Sequence, residues 1–408
     1  MDPKNTLSIM YKNIEKHYDS FKETRIKERA FSYVLWLQLI DEWKKSPLLD
    51  VSEIGQTYEG KPIHQVKFGI GPIHICAWSQ MHGDEATATM ALADIFLFLS
   101  QKGNAFDEIR EKLHQNITLF VIPRLNADGA ERWTRETALG IDMNRDASKL
   151  NSPEAKILHD WAHQINPLFS FNLHDQHRLY SVGNTPHQTH IALLATTGDE
   201  AGTWTDSRLR AGKLANRLTQ IVQEIYPNKI AKWTDEYNPR AFGDYFQGQN
   251  FGLILLESGG AGWDLEKQSL RKTNTCLLLD AFYAIANEEW KTEEISTYQS
   301  LLTNERNIFD IKLLNAPIDN KEKAVRADIG LNICEDYING EIIFTWTLEE
   351  IGDLSIYSGL TEIDASDYQL SELQYLEKGK NYSSLQMTFN NQIAFDLTDY
   401  TNKINQSK

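Results

Sequence analysis

The chain predicts an α/β fold built on a mostly parallel central sheet, followed by a smaller β-rich domain. Three observations carry that expectation. Between Val51 and about Trp290, short apolar runs alternate with amphipathic stretches of helical period, the pattern of strands and crossover helices. After about Asn304 the period changes: Val325, Ala327, Ile329, Leu331 and Ile333 alternate with polar or small residues, as in a half-buried strand. The 408 residues, 41% hydrophobic and 11% aromatic, suffice for one large domain and a smaller one and do not suit a disordered chain.

Taken in order, residues 5–45 read as helical, with Trp36, Leu37, Leu39, Ile40 and Trp43 on one face and Pro47 ending the region. Apolar runs predict strands over 64–68, 73–78, 117–123, 168–174, 191–196 and 253–257. Helical period predicts helices over 86–99, 153–164, 207–226 and 270–290, with Ser152 as N-cap and Pro153 in the first helical position. In the C-terminal part, residues 341–348 add a strand. Leu385, Met387 and Phe389, then Asn390-Asn391, then Ile393, Phe395 and Leu397 predict a hairpin on a two-residue turn. These readings divide the chain into an N-terminal helical segment (1–48), a main domain (49–303), a β-rich module (304–401) and a frayed tail (402–408).

Basic residues number 41 and acidic residues 57, a net charge of −16. That argues against nucleic acid or an anionic membrane as the main partner, since both require a basic surface. Cys76, Cys276 and Cys334 are scattered without C-x-x-C spacing and read as thiols in a reducing compartment. The start, Met1-Asp2-Pro3-Lys4-Asn5, leads into a charged stretch, and no apolar run approaches membrane-spanning length. A cytoplasmic protein is expected.

The chemistry gathers in Ser79-Gln80-Met81-His82-Gly83-Asp84-Glu85. His82 and Glu85, three residues apart just past an apolar strand, can close on one face of a zinc ion. Zinc in hydrolases takes three protein ligands and leaves a fourth position for water. The third candidate is His174, at the end of the run 169–174. In a strand, Phe169, Phe171 and Leu173 face one way while Ser170, Asn172 and His174 face the other. The imidazole then sits at the carboxyl edge of a parallel strand, where open α/β sheets form their sites.

Glu257 follows four aliphatic residues, Leu253 to Leu256. Poor solvation raises its pKa, which suits general acid and base work near neutral pH. A further segment, 126–146, crowds Arg132, Arg135 and Arg145 into one loop with Asn144 beside them. Arginine grips carboxylates as a bidentate fork and can steady an oxyanion. A rival pair, His159 and His163, stands at i and i+4 on a predicted helix with Asp160 between them. Aspartate places its oxygen poorly as a base there, so two packing or surface histidines are the better reading. Asp175, Gln176 and His177 are candidates to line the pocket, and His187 and His190 read as solvent-exposed loop residues.

Together these segments resemble the zinc carboxypeptidases of the M14, carboxypeptidase A-like, family in its bacterial-type branch. H-x-x-E at 82–85, N-P-D-G at 126–129 with Ala127 in place of proline, G-V-D-x-N-R at 140–145 with Ile141 in place of valine, a distal histidine and a distal glutamate occur in the family's order. The resemblance covers about residues 50–295. It implies a mixed, mostly parallel sheet with helices on both faces. It implies one Zn2+ held by His82, Glu85 and His174, with Glu257 as general base. Asn144 and Arg145 would hold a substrate carboxylate, and Asp142 would orient the first ligand histidine. Arg135 would polarise the scissile carbonyl, with Arg132 the alternative. Tyr237 and Tyr245 are both candidates for the family's pocket tyrosine, and Tyr245 is assigned. The implied reaction is hydrolysis of an amide bond beside a free C-terminal carboxylate of a peptide. Asp84 stands where the digestive members have arginine, and bacterial branches acting on cell-wall peptides or amide conjugates often have Gly-Asp there. The alternatives are therefore a zinc amidase or deacylase acting on N-acyl amino acids or cell-wall peptides, and a catalytically silent binding protein on this fold.

Overall fold

An eight-stranded sheet runs through the larger part of the chain: β1 (Leu49–Gln56), β2 (Pro62–Phe68), β3 (Ile73–Ser79), β4 (Ile117–Ile122), β5 (Phe169–Asp175), β6 (Ile191–Ala195), β7 (Ile230–Lys232) and β8 (Gly252–Ser258). The computed structural model describes residues 9–320, 323–371, 377–382, 385–389 and 392–406. Strand order is β1-β2-β4-β3-β5-β8-β6-β7. The centre, β4-β3-β5-β8, is parallel, while β1–β2, β2–β4 and β6–β8 pair antiparallel.

Alternate residues of each central strand go to opposite faces. Ile75 and Ala77 of β3, Phe169, Phe171 and Leu173 of β5, and Ile254 and Leu256 of β8 share one core with residues of the helices Thr87–Ser100, Asp206–Ile225 and Gln268–Ala286. Cys76 and Trp78 of β3 and Leu253 of β8 join the helices Pro153–Ile165 and Phe242–Gly248 in a second core. The largely parallel centre is the one expected from the alternation, and the mixed sheet with helices on both faces is the one the resemblance implies. Ser152 caps its helix as predicted, its hydroxyl accepting from Ala155 N at 3.3 Å ahead of Pro153.

The N-terminal region departs from a single helical run. Helices span Ile9–Lys16 and Tyr33–Trp43, with an irregular stretch between them, and residues 1–8 lie outside the described residues. Arg271 explains the break: its guanidinium donates to Ile26 O at 2.7 Å and Glu23 O at 2.8 Å and pairs with buried Asp94 at 2.5 Å. Carbonyls that a helix would use internally are bound instead to a buried cation.

The C-terminal part forms a separate five-stranded sheet, including Ile308–Asn320, Lys323–Ile338 and Glu341–Gly352, and a three-stranded one. Ile329 and Leu331 are buried as the alternation predicts, whereas Val325 is 52% exposed. Strands Gln386–Phe389 and Gln392–Asp396 pair antiparallel with Met387 opposite Phe395. The Asn390-Asn391 turn itself lies outside the described residues. The frayed tail is corrected: residues through 406 belong to a helix, Leu397–Gln406. Leu397 and Ile404 are buried in the module's core, and Trp346 Nε1 donates to Thr401 Oγ1 at 2.9 Å, so an apolar helix face holds the tail down.

Several contacts dock this module onto the main sheet. Strand Asn304–Glu305 pairs with Ser181–Val182, and Trp133, Trp263 and Leu265 pack into the module's core. Arg178 ion-pairs with Asp310, and Arg29 with Glu335 at 2.8 Å. Among the described residues, no helix is long and apolar enough to cross a membrane.

Candidate metal centre

β3 delivers the chain into the loop carrying His82 and Glu85, just before the helix Thr87–Ser100. Gln80 turns the backbone at φ 48°, and the loop is tied to the segment after β4 by Leu125 N to Ser79 O (3.1 Å) and Asn126 N to Gln80 O (2.9 Å). A Cβ on Gly83 would lie 2.0 Å from the Gly129 carbonyl carbon, so only glycine lets the loop press against the helix Ala127–Arg132. Asn126 caps that helix by accepting from Gly129 N and donates to Glu136 O at 3.0 Å. The sequence element 126–129 is thus a brace for the neighbouring loop.

One nitrogen from each of His82 and His174 and one oxygen of Glu85 lie within 4.8 Å of one another, all three residues buried. His82 Nδ1 is 2.7 Å from Glu85 Oε1, and His174 Nδ1 is 2.6 Å from Glu85 Oε2. The two Nδ1 atoms are 3.2 Å apart. His82 Nε2 faces Asp142 Oδ1 at 3.2 Å, which occupies that nitrogen and leaves Nδ1 facing the carboxylate. Lone pairs converging this closely require protons or a cation between them. Burial lowers the His82 pKa, but the Glu85 charge and the hydrogen bonds with Asp142 and Glu85 raise it to about 9, whereas burial holds the His174 pKa below its ordinary value. Two imidazoles and a carboxylate, with a second carboxylate behind the first histidine, form a donor set that fits zinc.

Arg135 stands beside this cluster. Its Nε and Nη2 hold Asp142 Oδ2 at 3.2 and 3.1 Å, and Nη1 reaches His82 Nδ1 at 3.0 Å and Glu85 Oε1 at 3.2 Å. Glu257 lies on β8 directly opposite His174 on β5. It is 6% exposed, and burial, then the Glu85 charge, push its carboxyl well above the usual range.

A cavity of about 430 Å³ opens over the cluster, lined among others by Glu257, Arg135, Asn144, Arg145 and Tyr237. Asn144 accepts from Phe242 N at 2.9 Å through Oδ1, which leaves its amide nitrogen as a donor. Arg145 is exposed, donates to Asn144 O at 2.7 Å, and forms no ion pair among the described residues.

The sequence matches the family described as zinc carboxypeptidase, Peptidase_M14, over residues 36–250, more than half of the chain. The chain belongs to the M14 zinc carboxypeptidase family. It is thereby a zinc hydrolase by family, and its His82–Glu85–His174 cluster is compatible with binding that metal. The fold is similar to that of a metallo-carboxypeptidase from Burkholderia cenocepacia, at 17% identity and a TM-score of 0.52 over 64% of this chain and 70% of that one. A metallo-carboxypeptidase from Pseudomonas aeruginosa, solved in complex with (2-guanidinoethylmercapto)succinic acid, is similar at 16% identity and a TM-score of 0.50 over 63% and 70%. No curated protein matches the sequence.

Within this M14 chain two expected site residues stand apart. Arg132 is ion-paired with Glu59 and does not line the cavity over the triad. Tyr245 packs away from it, its hydroxyl 3.0 Å from His159 Nε2, because the helix Phe242–Gly248 turns that side chain toward Pro153–Ile165. Tyr237, the other candidate, lines the cavity. The His159 and His163 rings pack at a tilt against each other at 4.4 Å and both contact Tyr245, which is a packing role. Asp175, Gln176 and His177 do line the cavity. His187 is exposed, but His190 is partly buried against Tyr226 at 5.4 Å. Tyr180, Trp233 and Thr196 also line the cavity and were not anticipated. Trp233 follows β7, a strand too short to give a periodic signal.

Proposed function

We propose that the chain hydrolyses the amide bond next to a free C-terminal carboxylate, with residues 49–303 as the catalytic unit. The observation that carries this reading is one cavity holding the His82–Glu85–His174 cluster and Glu257 together with an unpaired Arg145 and Asn144. Zinc held by His82, Glu85 and His174 supplies Lewis acidity and lowers the pKa of water bound to it. The other roles belong to side chains. Arg145 receives the substrate carboxylate in its fork, and the Asn144 amide adds a donor beside it. Their separation from the triad sets which bond is presented.

Glu257, poorly solvated and without a hydrogen-bond partner among the described residues, accepts a proton from the attacking water. As the C–N bond breaks, it returns that proton to the leaving amine. Arg135 directs N–H donors toward the side of the triad where an oxyanion develops. Asp142 holds both Arg135 and the His82 ring in place. A cytoplasmic setting belongs to the same reading, supported by three free thiols of which Cys76 and Cys276 are buried.

Glu257→Gln tests the assignment. The variant is expected to keep its zinc, measured by elemental analysis, and to lose turnover by about 10²–10⁴-fold. A zinc-replete variant with full activity would remove Glu257 as the base.

A further inference from the structure

A second cavity, of about 460 Å³, meets the first at the triad: Glu85, Asp175, Gln176 and His177 line both. It lies on the side away from Asn144 and Arg145, neither of which lines it. Its walls come from three parts of the chain. Loops and helix ends of the main domain give Asp84, Trp133, Arg178 and Lys267; the N-terminal segment gives Arg29; the C-terminal module gives Asn332, Cys334, Glu335 and Glu349. The module lies outside the region that matches the family, residues 36–250.

We propose that the C-terminal β module is part of the substrate site, closing a subsite that takes the main chain of at least two residues preceding the scissile bond. The inference rests on the reading of Arg145 as the carboxylate binder. With the terminal carboxylate at Arg145 and the scissile amide at the triad, the acyl part of the substrate leads away from Arg145 and into the second cavity. That cavity is as large as the one receiving the C-terminal residue, about 460 against 430 Å³, so a small acyl group leaves it unfilled.

Its polar groups point to the ligand class. Arg178 and Gln176 are 9% and 4% exposed, and Arg178 Nη1 and Gln176 Nε2 have no hydrogen-bond partner among the described residues. Asp84 Oδ1 and Asp175 Oδ1 are buried and equally without one. Donor residues (Arg178, Gln176) and acceptor residues (Asp84, Asp175) thus stand together in the wall of one cavity, a mixture that matches a chain alternating N–H and C=O. An acetyl group offers a single carbonyl. The module's contribution is held in place by Arg29–Glu335 and Arg178–Asp310, so the wall is fixed rather than loosely hung.

The test uses the full-length zinc-loaded protein and a series sharing one C-terminal residue: its N-acetyl derivative, then N-acetylated di-, tri- and tetrapeptides. kcat/KM is expected to rise at least tenfold from the N-acetyl amino acid to the tetrapeptide. Cys334, which lines the second cavity and is the partly exposed thiol of the three, gives an independent readout by alkylation and mass spectrometry. The tetrapeptide should slow its labelling and the N-acetyl amino acid should not, while buried Cys76 and Cys276 stay unlabelled. A flat kcat/KM series with unprotected Cys334 overturns the subsite and leaves the hydrolase reading intact. If no member is cleaved, the hydrolase reading fails, and protection of Cys334 by the intact tetrapeptide still decides whether the subsite exists.

Discussion

The two carboxylate oxygens of Asp142 serve different partners: Oδ1 faces His82 Nε2 at 3.2 Å, and Oδ2 takes Arg135 Nε and Nη2 at 3.2 and 3.1 Å. Burial pushes the Asp142 pKa up, but the His82 hydrogen bond and the Arg135 charge outweigh it and hold the carboxyl below its usual range. The group is therefore anionic at neutral pH. Asp142→Asn preserves shape and removes that charge, and zinc affinity measured by chelator competition should fall by about 10–100-fold. Unchanged affinity would assign Asp142 to Arg135 alone. At this scale the residues legible in the sequence were those at element ends. His174 and Glu257 each stand one residue before the end of a strand, and His82 and Glu85 lie in the short loop between β3 and the helix Thr87–Ser100, so the flanking apolar runs marked their places. Arg132 and Tyr245 were not legible, because they lie within short helices whose rotation no apolar period constrains. A one-residue change in where Phe242–Gly248 begins decides whether Tyr245 meets the cavity or His159.

The aliphatic run of β8 was legible because a fully buried parallel strand needs apolar residues on both faces, and β5 was legible through Phe169, Phe171 and Leu173 alternating with Ser170, Asn172 and His174. β7 was not, since its three residues are too few to show a period. The same lack of period hid the break between the N-terminal helices, which Arg271 imposes from far along the chain. β6 shows what an element adds beyond its own residues. His190, at its entrance, is carried under Tyr226 by the strand's pairing with β8. Burial, then the Lys229 charge, lower its pKa from 6.5 to about 4. An unfolded histidine in the window between those values binds more protons than the folded one. Stability from this site is therefore complete above about pH 6.5 and is lost as pH falls toward 4. Chemical denaturation at pH 7 and pH 5 should show His190→Gln losing less stability than the parent chain, by on the order of 1 kcal/mol. Equal losses would place the pH sensitivity elsewhere.

At the scale of the whole molecule, charges are buried where the main domain meets the five-stranded sheet. Asp310 is fully buried, pairs with Arg178, and accepts from Ile333 N at 2.8 Å. Asp310→Ala strands a buried guanidinium and should cost about 3–5 kcal/mol in chemical denaturation; a loss below about 1 kcal/mol would mean that the sheets do not lean on this pair. The module's strands were visible in the sequence, but its place against the triad was not, because Arg178 and Asp310 are 132 residues apart and carry no motif. Where catalysis would occur, a different kind of constraint operates. His174 and Glu257 are register partners on adjoining parallel strands, which keep a spacing of about 4.8 Å. The backbone separation of the proposed proton carrier and the proposed third ligand is accordingly set by the sheet itself. On that reading, selectivity rests with the walls of the cavity, which decide what enters, and not with the pair itself.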